Sequence, residues 1–491
     1  MGEMEPRLDR QGLAVGDLEA IARHLKAVFG PSDDFTLRAI RTPGPSTNSL
    51  LAYIDGLIDP ALLDGQVVQP LLAAHPAIPH WPGGAPVSEA ADWAAVIEGC
   101  LSGRVAVFRA EMAGAVMVDI ARIPHRAIDR AQTEMSVRGP QEAFADVVAI
   151  QFAQLRCRLP TPDLVCESLT RVSQLPVPIG LAYLQNVVQP DVVSAVRLRL
   201  RRMAIDAPIN STRIGAHVRD RPWAIFPTVR YTERVDWAAL ELQQGKVAIL
   251  VAGDPFVITL PTTLADFYRT TSDYSSAWYD TSLIRVIRLL GWAFGIYLPA
   301  IYIALTEVNP DLISPKLFDL VAGSHTALPF TPLVEVVVMI LVIEVLREAA
   351  LRLPKILAST IGTVGAIVVG TAVVKAGFVS PQIIVLMTLT ALSLFSAPTY
   401  ELIATWRLVG WIMLLSGFVL GMFGIILATF WVTGEMVTLS SYGVPYLVPY
   451  SPFRPKDWSN TLWRVPWTRL VRRLTEGRGR ELRWARAARR P

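Results

Sequence analysis

Apolar and polar positions alternate differently in the two halves of this chain. Over residues 1–280 short apolar runs of strand length are separated by polar bends and by helical stripes, the pattern of a sheet covered by helices. The expected strands of a first unit are 35–40, 50–55, 104–109 and 114–120; those of a second are 164–170, 178–184, 227–232, 246–251 and 255–260. Over 281–432 the alternation disappears and long apolar stretches take its place. A bilayer core of about 30 Å needs roughly 20 apolar residues as helix. Leu289 to Thr306, Ile356 to Val374, Ala376 to Tyr400 and Leu408 to Val432 meet that need without a charge. A fifth run, Pro332 to Leu351, carries Glu335, Glu344, Arg347 and Glu348.

The first half repeats itself. Leu51-Ala52-Tyr53-Ile54, followed by a polar bend and Pro60, matches Leu181-Ala182-Tyr183-Leu184, followed by a bend and Pro190. Proline suits the first turn of a helix, where its missing N–H is not needed. Asp92-Trp93-Ala94-Ala95 before Gly103-Arg104-Val105-Ala106-Val107 is answered by Asp236-Trp237-Ala238-Ala239 before Gly245-Lys246-Val247-Ala248-Ile249. The fold expected is therefore an α/β cytoplasmic region of two similar subdomains, then an α-helical polytopic membrane domain. Its divisions are a 1–34 extension, a first subdomain over 35–135, a linking helix within 136–160 and a second subdomain over 161–280. The membrane domain of four or five segments covers 281–432, and a Pro-rich segment with a basic tail covers 433–491.

Charge agrees with a membrane setting. The net charge is only +4, yet the stretch from Arg454 to Pro491 holds twelve Lys/Arg against three Asp/Glu. A basic tail beside apolar segments points to a cytoplasmic, lipid-facing position more than to nucleic acid. Arg285 and Arg288 before the first run favour the same side. The segment 1–13 has no apolar core and is not a signal peptide. Three cysteines, Cys100, Cys157 and Cys166, show no CxxC spacing and fit a reducing compartment. Both ends inside requires an even number of crossings, and five runs do not supply one. Either the acid-bearing run inserts only in part, the choice preferred here, or the chain re-enters through 436–450.

Candidate chemistry is sparse. The six histidines have no metal-ligand spacing, and P-loop, GxSxG and GxGxxG motifs are absent. Neither an enzyme nor a cofactor is expected. Ionisable groups at bilayer depth cost a few kcal/mol each and usually face protein or water. Glu335, Glu344, Arg347 and Glu348 thus form the candidate ion path or polar membrane interior. Glu344 and Glu348 share a helix face, Arg347 can pair with Glu344, and Glu335 lies on the opposite face. Glu348 and Arg352 read as a helix end among headgroups, Glu335 and Glu344 as buried in a polar interior. Ser359, Gly362, Gly365 and Gly370 mark a close-packing helix, with a pore wall as the sharper alternative.

Several short pieces, in order, resemble the A subunits of the GerA-type spore germination proteins. They include Val137-Arg138-Gly139-Pro140, Arg230-Tyr231-Thr232-Glu233-Arg234, Gly245-Lys246-Val247-Ala248, Pro329-Phe330-Thr331-Pro332, Glu344-Val345-Leu346-Arg347-Glu348 and Gly443-Val444-Pro445-Tyr446. Ala397-Pro398-Thr399-Tyr400-Glu401-Leu402 and the segment after Pro449 look closest to the stage V sporulation protein AF branch, with a nutrient-receptor A subunit as the alternative. Gln141 departs from the family, which usually has a basic residue there. The resemblance implies a protein of the endospore inner membrane and a homo-oligomer, a pentamer, that conducts monovalent cations. It also implies B- and C-type germination subunits or a small membrane partner. A non-conducting scaffold that clusters receptors is the competing reading. A secondary transporter would show an inverted repeat of broken helices, and none is visible.

Overall fold

The computed structural model describes residues 17–41, 48–73, 84–109, 114–122, 131, 133–134, 139–169, 177–203, 210–325, 328–352, 375–455, 458, 461 and 463–466. The first unit begins earlier than 35. Helix α1, Leu18–Phe29, is capped by Asp17, whose carboxylate accepts the Glu19 and Ala20 N–H groups. Its Ile21, Leu25 and Phe29 enter the same core as Leu50, Trp93 and Phe108. The 1–34 extension is corrected accordingly: its second half is part of the first subdomain.

The first sheet comprises β1 Phe35–Arg41, β2 Asn48–Ile54, β3 Val87–Ala90, β4 Arg104–Arg109 and β5 Ala115–Asp119, in spatial order β1-β2-β4-β5-β3. A helical stretch over 60–73 (α2) covers one face, and α1 with α3, Trp93–Leu101, covers the other. After the linking helix α4, Val148–Arg158, the second sheet comprises β6 Leu164–Leu169, β7 Ile179–Leu184, β8 Arg230–Thr232, β9 Val247–Val251 and β10 Asp254–Leu260. Its order, β6-β7-β9-β10-β8, repeats the first strand for strand. Every pairing is antiparallel. Helices α5, Pro190–Arg202, and α6, Ser211–Val218, lie on one face, and α7, Val235–Gln243, lies on the other with α4. The repeat is thus one of topology. Strand β3 leaves little signal in the sequence because Val-Ser-Glu-Ala is a short edge strand with three exposed residues.

Helix α4 joins the units. Its Val148 and Phe152 press on Gly180 of β7, while Arg156, fully buried, donates to both carboxylate oxygens of Asp34 at 2.8 and 3.0 Å. Removing either partner of such a pair would leave a buried charge uncompensated.

Short helix α8, Leu264–Tyr268, leads to α9, Trp278–Ile303, which continues as a wider turn over 304–308. Helices α10, Pro315–His325, α11, Pro332–Arg352, and α12, Pro381–Phe395, follow. The acid-bearing run forms a 21-residue helix. Residues Ser359, Gly362, Gly365 and Gly370 lie outside the described residues.

The largest correction concerns Leu408 to Val432. Helical structure runs from Tyr400 to Thr438, but Gly421 stands in it at φ 60, ψ −144, a conformation open in practice only to glycine. Thr429 lies 3.9 Å from the Met413 sulfur. Sixteen residues of straight helix would separate them by about 24 Å. Residues 400–420 (α13) and 422–438 (α14) therefore form an antiparallel hairpin with Gly421 at its tip. A side chain at Gly424 would stand 2.1 Å from the Ser416 carbonyl oxygen, so glycine is what lets the two helices touch. After α14 the chain makes a short antiparallel pairing of Ser440–Ser441 with Val444–Pro445. It docks on the α/β half, where Tyr446 is fully buried and its carbonyl accepts the Leu264 N–H at 2.9 Å.

Candidate functional site

The polar groups fall into three layers along the long axis of the helices. The first lies inside the second α/β unit. Lys246, Glu241, Asp266 and Arg269 are fully buried together. Lys246 Nζ pairs with Asp266 at 2.6 Å and with Glu241, and Arg269 pairs with Asp266. Arg230 stacks over Trp237, 4.1 Å from its ring, and donates to the Asp266 and Arg269 carbonyls. Burial by itself would raise Asp266, but Lys246 and Arg269 reverse this and hold it below the usual carboxylate range. Burial pushes Glu241 upward, against the opposing pull of Lys246.

The second layer joins the α/β half to the helices. The Glu401 carboxylate accepts the Tyr231 N–H at 3.3 Å, and Thr405 donates to the Ile225 carbonyl at 3.2 Å. Arg221 reaches Thr438 at 3.2 Å, and Ser441 bridges the Thr228 carbonyl and the Thr262 N–H. Arg285 and Arg288 both bond Asp273 at 3.1 Å. These arginines tie the first apolar helix to a buried carboxylate on their own chain.

The third layer contains the acids singled out in the sequence, and it does not gather them into one site. Glu335, with no exposed surface, lies at the start of α11. One oxygen meets His325 Nδ1 at 2.8 Å, and the other accepts the Ser380 N–H at 2.7 Å. The far nitrogen of His325 meets the Tyr302 hydroxyl at 3.1 Å. Glu344 lies two turns and more further along. Its Oε2 receives Arg407 at 2.8 Å and also Arg347. Glu348 pairs with Arg352 at 2.7 Å, and both are exposed. Sequence spacing pointed to the Glu344–Arg347 pair; the partners His325, Ser380 and Arg407 come from other segments and left no local signal. Both oxygens of Glu335 are engaged within the chain, whereas the two arginines at Glu344 share its Oε2.

A narrow crevice, open on one side, lies beside the Glu344–Arg407 pair, walled by α9, α11, α12 and α13. Among the described residues two helical segments, Trp278–Val308 and Tyr400–Thr438, are long and apolar enough to cross a membrane, their most apolar 18-residue stretches having mean hydropathies of 1.7 and 2.3. The second is the one that folds back at Gly421.

The family model described as Bacillus/Clostridium GerA spore germination protein matches residues 23–475. Spore germination protein B1 of Bacillus subtilis (strain 168) is 32% identical over 467 residues, covering 94% of this chain and 97% of that protein. Spore germination protein KA of the same organism is 30% identical, covering 90% and 83%. Spore germination protein GerLA of Bacillus cereus is 28% identical, covering 92% and 94%. Among solved structures, the N-terminal domain of the A subunit of the Bacillus megaterium spore germinant receptor GerK3 shares 22% identity. The likeness covers 51% of this chain and 96% of that one at a TM-score of 0.39.

Proposed function

This chain belongs to the GerA family of spore germination proteins, and on that premise we propose that it is a multi-pass membrane subunit of a germination complex that oligomerises into a cation-conducting channel. The observation that carries the membrane reading is the fold-back at Gly421. Helix α9 leaves the α/β half and ends beside Glu307, which accepts the Leu333 N–H at the start of α11. Helix α11 returns, bringing Glu344 to Arg407, about two turns from the α/β end of α13. Helix α12 also returns, from Ser380 beside Glu335 to Ser396 beside Gly291. Helices α13 and α14 go out and back. The run Ile356–Val374, expected from its composition to cross, joins two helices of the same direction. Counting it gives six crossings, an even number, with the α/β half and the segment 439–455 together on the cytoplasmic side. The parity problem of five runs then has one cause, a hairpin read as a single helix.

Membership in the family supports conduction. With both Glu335 oxygens engaged within the chain and Glu344 faced by two arginines, the path for monovalent cations belongs between copies of the chain. The same engagement favours the second reading, a non-conducting scaffold that clusters germination receptors. Reconstituting the full chain in liposomes loaded with potassium separates the two. Conductance that depends on protein density supports the channel; oligomers that leave the vesicles tight support the scaffold. Potassium release from spores carrying Glu344→Gln, at matched protein level, tests that acid. Unchanged release removes it from the path.

A further inference from the structure

We propose that the crevice beside Arg407 binds an anionic phospholipid of the leaflet nearest the α/β half, with its phosphodiester on Arg407 and Arg347 and one acyl chain in the crevice. The inference rests on the membrane reading of the helical half but not on conduction.

Charge is the first argument. Arg347 and Arg407 donate to the same oxygen of Glu344. Two guanidiniums face one carboxylate, so one positive charge remains uncompensated among the described residues. The Arg407 Nε is buried and has no partner there. Desolvated donors left unmade are costly, more so on a charged group at membrane depth. A phosphodiester supplies a negative charge and acceptor oxygens that a guanidinium matches with paired N–H groups. A cation would be repelled by this cluster, and a neutral lipid would leave the charge unbalanced.

Shape is the second. Beyond the charged end the crevice is lined by Pro299, Ile343, Met387, Leu394, Trp411 and Leu414. Leu414 is two turns past Arg407, about 10 Å further from the α/β half. A polar head and an apolar trough leading away from it have the outline of one lipid, in the direction expected for that leaflet.

Depth is the third. Arg407 lies about 10 Å from the start of α13, where Glu401 meets the α/β half. Basic pockets between membrane helices at the cytoplasmic level are sites for anionic headgroups. Thr390, also lining the crevice, bonds the Leu386 carbonyl and does not compete for the headgroup.

The test uses the full chain in mild detergent, incubated with phosphatidylglycerol, with phosphatidylcholine of the same acyl chains, or with inorganic phosphate. Retained lipid is read by native mass spectrometry, and protection by the melting temperature. Phosphatidylglycerol retained about tenfold over phosphatidylcholine, the equivalent of ~1.4 kcal/mol, is the expected result. Arg407→Gln should remove that preference, and Ala391→Phe, which fills the crevice, should lower retention of both lipids. Arg352→Gln, at an exposed arginine, should change neither. Equal retention of the two lipids by the wild-type chain, which needs no variant, overturns the proposal. So does full phosphatidylglycerol retention by a folded Arg407→Gln, or equal protection by inorganic phosphate, which would make this a free-anion site. A second copy's helix filling the crevice in an oligomer would overturn it as well. A chain that stays in the aqueous phase without detergent would instead refute the membrane reading beneath it.

Discussion

Replacing Gly421 with alanine isolates the residue on which the topology turns. At φ 60, ψ −144 an L side chain is strained by about 1–3 kcal/mol. The added Cβ would stand 1.9 Å from Asn309 Oδ1, which now accepts the Met422 N–H at 2.9 Å. Moving Asn309 aside gives up that bond, worth about 1 kcal/mol. Together the hairpin should lose roughly 2–4 kcal/mol, read as a lower melting temperature of the full chain in detergent. Gly434→Ala is the control. Nothing lies near its Cβ, and alanine should gain up to about 1 kcal/mol in helix propensity. The stronger measurement is geometric. A straight helix of the 39 residues from Tyr400 to Thr438 would span about 58 Å, nearly twice the bilayer core, and would put its ends on opposite faces. The hairpin puts them on one face. Single cysteines at exposed Tyr400 and Thr438, in a Cys157→Ser background that leaves only buried Cys100 and Cys166, should react with an impermeant maleimide from the same side of oriented vesicles. Labelling from opposite sides would refute the fold-back, and with it the six-crossing arrangement.

Other consequences concern the buried charges. Lys246→Met leaves buried Glu241 without its cation, Asp266 keeping Arg269, and should cost about 3–5 kcal/mol in a urea titration; a cost near zero would mean that the network is dispensable. Asp266 titrates below its unfolded value, so its contribution is complete above about pH 3.9 and is lost as pH falls through the folded value. The melting temperatures of wild type and Asp266→Asn should therefore converge on acidification below that point, and a constant gap would contradict the assignment. Glu335→Ala leaves the Ser380 N–H and His325 without their acceptor at a cost of about 1–3 kcal/mol. Glu335→Gln, which keeps an acceptor oxygen, should be milder in the same detergent melt.

Much of the α/β half was legible because alternation and turn residues are local. Eight of the nine expected strands overlap observed ones closely, and even 227–232, seen as Arg230–Thr232, is in place. Helix α1 could have been read too, since Asp17 before Leu18, Ile21, Leu25 and Phe29 is a cap followed by a helical stripe. The candidate acids were legible as anomalies in apolar runs. Their partners were not, because His325, Ser380 and Arg407 reach them from 10 to 63 residues away.

Composition and periodicity by themselves settled that the chain has a mixed half with two copies of one sheet plan and an apolar helical half interrupted by acids. These follow from burial, which acts residue by residue and leaves its period in the chain. Only the tertiary structure decided where the helices turn. A run of 25 uncharged residues satisfies a single crossing and the crest of a hairpin equally well, since both bury the same apolar surface. The choice rests on one glycine's backbone angles and on small residues that let α13 and α14 touch, and hydropathy registers neither.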